Sequence, residues 1–185
     1  MKSVVVLIVA TAALAACNKS PNIDVKNASV GEVAEKVRGA EADSSFVSPG
    51  EWSSKVTIVS MQVPGAPVSE TDQMKGRVSE ERNYCLTPEQ AKKPSENFFA
   101  GNQNECRYDH FTMGSGKIDA AMRCTHEGMT QLVNFNGSYS PDTYEVTMDS
   151  KVEKGPAQMT GMSMSMRVDA KRVGECHGEQ DSKKS

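Results

Sequence analysis

The chain has 185 residues, 21 of them basic and 24 acidic, giving a net charge of −3 with histidine neutral. No basic cluster stands out, so nucleic acid is excluded as a partner for want of an electrostatic footprint. Aromatic residues make up only 5% while methionine occurs 11 times, so the core is expected to be soft and thioether-filled.

Met1-Lys2-Ser3 is a short positive end, and Val4 to Leu14 is apolar apart from Thr11. Small Ala15 and Ala16 then precede Cys17, which completes the three-part layout of a secretory signal over residues 1–16. The apolar run is far shorter than the about 20 residues that a bilayer span needs. Leu14-Ala15-Ala16-Cys17 resembles the lipobox of bacterial lipoproteins. That resemblance implies cleavage before Cys17, a diacylglycerol on its sulfur and acylation of the new amine. Two or more acyl chains anchor a protein stably. The membrane is therefore an expected partner through Cys17, on the periplasmic face of the envelope. Asn18, where sorting rules of enteric bacteria look for Asp, favours the outer membrane by the same resemblance.

Without the leader, the length fits one domain on the usual scale of about 100–200 residues. Residues 17–45 read as a lipidated tether, 46–176 as the domain and 177–185 as a polar tail. Within the tether, Ser29 and Glu32 form a capping box. Val30, Val33, Ala34 and Val37 then fall at i, i+3, i+4 and i+7, a short amphipathic helix that Gly39 can end. Such a narrow stripe fits packing on its own domain, or idling in the linker, better than a partner-binding helix.

From Phe46 the texture is that of strands. Trp52 to Met61 carries Val56, Thr57, Ile58 and Val59 and stops at Pro64-Gly65-Ala66-Pro67. Lys75 to Leu86 is a weaker strand, or a helix in its first half. Thr87-Pro88-Glu89-Gln90-Ala91 reads as a cap with proline at the first helical position. Thr130 to Tyr139 and Tyr144 to Val152 flank a turn at Ser140-Pro141-Asp142-Thr143, and Met162 to Val173 is the last strand. The predicted fold is mainly β: a curved antiparallel meander of six to seven strands with short helices.

Cys85, Cys106, Cys124 and Cys176 remain after the anchor, an even number that reads as two disulfides in an oxidising compartment. Met113-Gly114-Ser115-Gly116-Lys117 is a glycine-rich turn. With Met113 opposite Lys117, Tyr108 faces Met122 and Cys106 faces Cys124. One face of that hairpin is then Cys106, Tyr108, Ile118, Ala120, Met122 and Cys124, with His110 also on the apolar side. The other face is Arg107, Asp109, Lys117, Asp119 and Arg123. A slip by one residue would mix the two sets, and opposed residues lie within disulfide reach. This favours Cys106–Cys124 and leaves Cys85–Cys176; Cys85–Cys106 with Cys124–Cys176 stays open as the rival.

Several spaced runs carry a family resemblance: Pro49-Gly50-Glu51-Trp52, Cys85 to Ala91, Cys106-Arg107-Tyr108, Gly114 to Asp119, Gly137-Ser138-Tyr139 with Tyr144, and Gly174-Glu175-Cys176. Together they resemble the exported Gram-negative family called DUF3617, a domain of unknown function, over Phe46 to Cys176. The resemblance implies a periplasmic, disulfide-bearing β domain and supplies no activity, ligand or catalytic residue. Ser69 to Arg82 departs from the family in being more polar than the Met-rich helical stretch common there.

No catalytic motif accompanies these runs. His110, His126 and His177 are scattered, and there is no nucleophile elbow, zinc-binding helix motif, phosphate loop or Cys-x-x-Cys pair. No enzyme activity, catalytic residue or cofactor is therefore expected. Met162, Met164 and Met166 form the most tempting cluster, because thioethers suit Cu(I). Their alternation with Ser163, Ser165 and Arg167 predicts a half-buried strand face instead. The leading expectation is a non-catalytic envelope module that binds a lipid, an apolar small molecule or an envelope protein, or helps maintain the envelope; a Met-lined concave face could hold an apolar ligand. A copper-handling protein and an enzyme of unrecognised type are the alternatives.

Overall fold

The computed structural model describes residues 22–41, 46–92 and 105–176. The expected signal peptide, Cys17, His177 and the expected tail at 177–185 lie outside the described residues. Among the described residues, eight strands form one antiparallel sheet in the order β1-β4-β5-β6-β7-β8-β2-β3. They are β1 (Ile23–Ser29), β2 (Gly50–Gln62), β3 (Val78–Leu86), β4 (Cys106–Gly114), β5 (Lys117–His126), β6 (Met129–Ser140), β7 (Thr143–Lys154) and β8 (Ser163–Gly174). Three helices accompany them: α1 (Val30–Glu41), α2 (Val68–Asp72) and α3 (Pro88–Lys92). From β4 to β8 the chain is a plain meander. β2 then joins β8 on one side and β3 on the other.

The expectation of six to seven strands is corrected to eight, and the reason lies in the segment read as a tether. Ile23-Asp24-Val25-Lys26 alternates with the period of a strand, but over too few residues to stand out from polar sequence. Paired with β4 from Ile23↔Met113 to Ser29↔Arg107, it forms an edge of the sheet. α1 follows without a break. Its capping box is formed: the Ser29 N–H donates to Glu32 Oε2 at 2.6 Å, and the Glu32 N–H donates to Ser29 Oγ at 3.2 Å. The Ser29 N–H, and then the Ser29 hydroxyl, hold the Glu32 carboxyl below its ordinary pKa. The helix runs past Gly39 to Glu41. Val30, Val33 and Val37 are fully buried against Tyr108, Phe111, Met113, Ala120 and Met122, and with Ile23 and Phe46 they make the core. Helix α1 is therefore part of the core.

The Cys106 hairpin reaches the expected disulfide by a different register. Gly114 pairs with Lys117 and Met113 with Ile118, one step off the expected turn, while Tyr108↔Met122 and Cys106↔Cys124 stand as expected. A bulge between Tyr108 and His110 absorbs the difference. Bulges turn the following side chains over. Phe111 and Met113 therefore join the core, and His110 goes to the opposite face, correcting its expected apolar setting. The structure bonds Cys106 to Cys124, with Cα atoms 4.0 Å apart, and Cys85 to Cys176, 5.4 Å apart. Lys75 to Leu86 resolves into β3 from Val78, and α3 has its cap, with the Thr87 N–H donating to Gln90 Oε1 at 2.9 Å.

Candidate functional site

Directly opposed residues of neighbouring strands share a face, so the registers can be followed across the sheet. One row runs Val25, Phe111, Ala120, Phe135, Met148, Met166 and Ile58. The next runs Ile23, Met113, Ile118, Gly137, Val146, Val168 and Val56. The third runs Ala28, Tyr108, Met122, Val133, Ser150, Met164 and Met61. Their left-hand parts are buried under α1, which packs on β1 and β4. Their right-hand parts, on β7, β8 and β2, carry the same apolar chemistry but are mostly only half-buried: Val146, Met148, Met164, Met166, Val168, Val56 and Met61. This is the candidate site, an apolar trough continuous with the core and lying beyond its helix.

That trough is bridged near one end. Tyr84 on β3 and Tyr144 on β7 are separated by β8 and β2, yet their hydroxyls meet at 3.1 Å. Beneath the bridge lies the fully buried Trp52, its ring 5.7 Å from that of Tyr144 and its Nε1–H donating to the Ser48 carbonyl at 3.0 Å. Burial, and then the bond to Tyr144, push the Tyr84 hydroxyl pKa well up. Phe46 meets Tyr139 edge-on at 5.5 Å. The motif glycines fit this end for steric reasons. Gly50 has φ 141°, and a Cβ on it would lie 2.5 Å from both the Gly174 carbonyl and Arg172 Nε, whose N–H donates to the Pro49 carbonyl at 2.7 Å. At Gly137 a Cβ would come 2.2 Å from the Glu145 carbonyl. Except for Cys106-Arg107-Tyr108, at the opposite end of β4, the spaced motifs of the sequence thus converge on one packed end of the sheet, closed by Cys85–Cys176.

The opposite face is polar and internally paired. His110 Nε2 lies 2.7 Å from Asp119 Oδ1, and Asn136 donates to Asp119 Oδ2 at 3.1 Å. Those two bonds, Asn136 first, hold the Asp119 carboxyl low. Arg123 binds Asp109 and Glu153; Arg167 binds Glu145 at 2.6 Å and Asp169 at 2.9 Å. These pairs are solvated and span the face without meeting in a cleft. Away from that face, at the far end of β5, His126 Nδ1 sits 2.6 Å from Glu105 Oε2.

Of the candidate metal ligands, Met164 and Met166 lie in the trough, opposite Met61 and Met148 respectively. Met162 stands just before β8, its carbonyl accepting from the Val152 N–H at 2.9 Å. Cys85, Cys106, Cys124 and Cys176 are spent in disulfides and offer no thiolate. Among the described residues no cluster of three His, Cys, Asp or Glu could hold a metal ion. Sequence reasoning missed the Tyr84–Tyr144 bridge and the partnership of Met61 and Met148 with β8. No local signal marks either, because both depend on which distant strands become neighbours.

An antiparallel sheet with a helix over one half and an apolar trough on the other defines a β-sheet module with two disulfides. The family model described as a protein of unknown function (DUF3617) matches residues 47–176, and the chain belongs to that family. β1 and α1 precede the matched segment. No curated protein and no solved structure matches the chain.

Proposed function

We propose that this protein is a membrane-anchored periplasmic lipoprotein, held through Cys17, that binds an apolar ligand non-catalytically in the trough of β7, β8 and β2. The observation that carries this reading is the continuity of the three apolar rows past the edge of α1 onto half-buried Val146, Met148, Met166 and Val168. A face this apolar on one side, against a polar face laced with ion pairs on the other, fits a lipid chain or similarly apolar molecule better than a polar substrate. Methionine suits such a surface, because its unbranched thioether adapts to ligands of variable shape. The cell envelope supplies apolar chains in abundance, and the signal and lipobox of the first 17 residues support a place there.

The test is a polarity-sensitive dye displaced by acyl-chain competitors. Wild type should bind the dye and release it to the competitor. Met166→Arg should abolish binding, because it sets a charge in the middle of the trough, while Asn134→Arg on the exposed polar face should leave it intact. A wild type that binds no apolar probe overturns the reading.

A further inference from the structure

The strand that replaces the expected tether has a geometric consequence. A loose segment as far as Ser45 could reach about 100 Å at full extension, whereas Cys17 to Ile23 reaches about 20 Å. Slack is not recovered by peeling β1 away. Ile23 is buried, the strand is laddered to β4, and Val30, Val33 and Val37 fasten the helix that follows it. Its one irregular residue, Asn27 at φ 52°, has its carbonyl held by the Arg107 guanidinium.

Resting on the Cys17 anchor proposed above, we infer that one end of the sheet is the membrane-facing surface of the protein. It consists of the start of β1, the β4–β5 turn at Ser115-Gly116 and the β6–β7 turn at Pro141-Asp142, and its partner is the leaflet that holds the anchor. The two turns are tied together: the Tyr139 N–H donates to the Gly116 carbonyl at 2.9 Å. Ile23 lies opposite Met113 at the edge of the first turn, and only about 14 Å of sheet separates β1 from β6. The exposed charges there, Asp24, Lys117 and Asp142, are of both signs, so the short covalent link imposes the orientation without help from charge. The other end of β5, with His126 and Glu105, points away from the bilayer.

Strand β5 is a built-in ruler. Lys117 and Thr125 are both exposed, stand on the same face and lie about 26 Å apart along the strand. The full lipidated chain is reconstituted in phosphatidylethanolamine–phosphatidylglycerol vesicles that carry a headgroup quencher. A small fluorophore is attached through a non-natural residue at one position or the other. Quenching should be several-fold stronger at position 117 than at 125 and should persist in high salt, which screens surface charge. Inserting about 20 Gly and Ser residues after Asn18 should abolish the difference while the protein stays on the vesicles. Equal quenching at the two positions in wild type, or a gradient that survives the insertion, overturns the orientation. Intact mass separates the two claims: absence of the lipid mass on Cys17 overturns the anchor, and the orientation with it.

Discussion

The hydroxyls of Tyr84 and Tyr144 meet at 3.1 Å across two intervening strands, tying β3 to β7. It bridges one end of the apolar face, with the buried Trp52 packed against Tyr144.

Removing one partner leaves the other hydroxyl half-buried and unpaired. Tyr84→Phe should therefore cost about 0.5–1.5 kcal/mol. Tyr84→Phe combined with Tyr144→Phe should cost less than the two single changes summed, which a denaturant double-mutant cycle measures. The same pair gives a pH dependence. The folded state raises the Tyr84 pKa by burial and by its bond to Tyr144, so it favours the neutral phenol. That stabilisation is complete below the unfolded value of about 10 and is lost as pH rises beyond it. Tyr84→Phe should flatten the alkaline fall in stability; an unchanged alkaline limb would contradict the assignment.

The two disulfides should differ in weight. Cys106 and Cys124 are 18 residues apart and Cys85 and Cys176 are 91 apart. Loop entropy then gives about 3 kcal/mol for the first and about 4–5 kcal/mol for the second. Paired Cys→Ala changes, compared by urea midpoint, should rank in that order.

The module should begin at β1. Deleting residues 23–41 strips the cover from Tyr108, Phe111 and Met122, and the protein should aggregate or bind hydrophobic dye nonspecifically. Val33→Ala, in the middle of that cover, should cost about 1.5–2 kcal/mol. A truncated chain from Phe46 that melts like the full one would return α1 to the status of a linker.

Much of the meander could be read from sequence because it is local. The β6–β7 turn at Ser140 to Thr143, the Ser29–Glu32 cap and the alternation of β8 are all set by neighbours within a few residues. The Cys106–Cys124 pairing was reached through two deviations that cancel, a turn one step tighter than expected and a bulge at Asp109. Periodicity cannot show a bulge, so the places of His110 and Phe111 could not be read. β1 was missed because an edge strand this short gains its order from β4 and from α1, which lie far along the chain or on the other side of the cap. The trough was readable only in its Met164 and Met166 strand; its other walls come from β7 and β2.

Met164 and Met166 separate packing from soft-metal chemistry. Met164→Leu should be nearly neutral in stability, and Met164→Ala should cost about 1–2 kcal/mol at this half-buried site. Competition for Cu(I) against a chromogenic chelator should show no tight binding by wild type. Tight binding lost in Met164→Leu, with its melting midpoint unchanged, would place the copper chemistry first.

The most direct test of the apolar trough is photo-crosslinking with a fatty acid that bears a diazirine along its chain, mapped by peptide mass spectrometry on the full protein. Adducts should concentrate on Val146, Met148, Met166 and Val168 and spare Asn134, Asp149 and Arg167 on the other face. Adducts spread equally over both faces, or none above a non-binding control protein, would contradict the account.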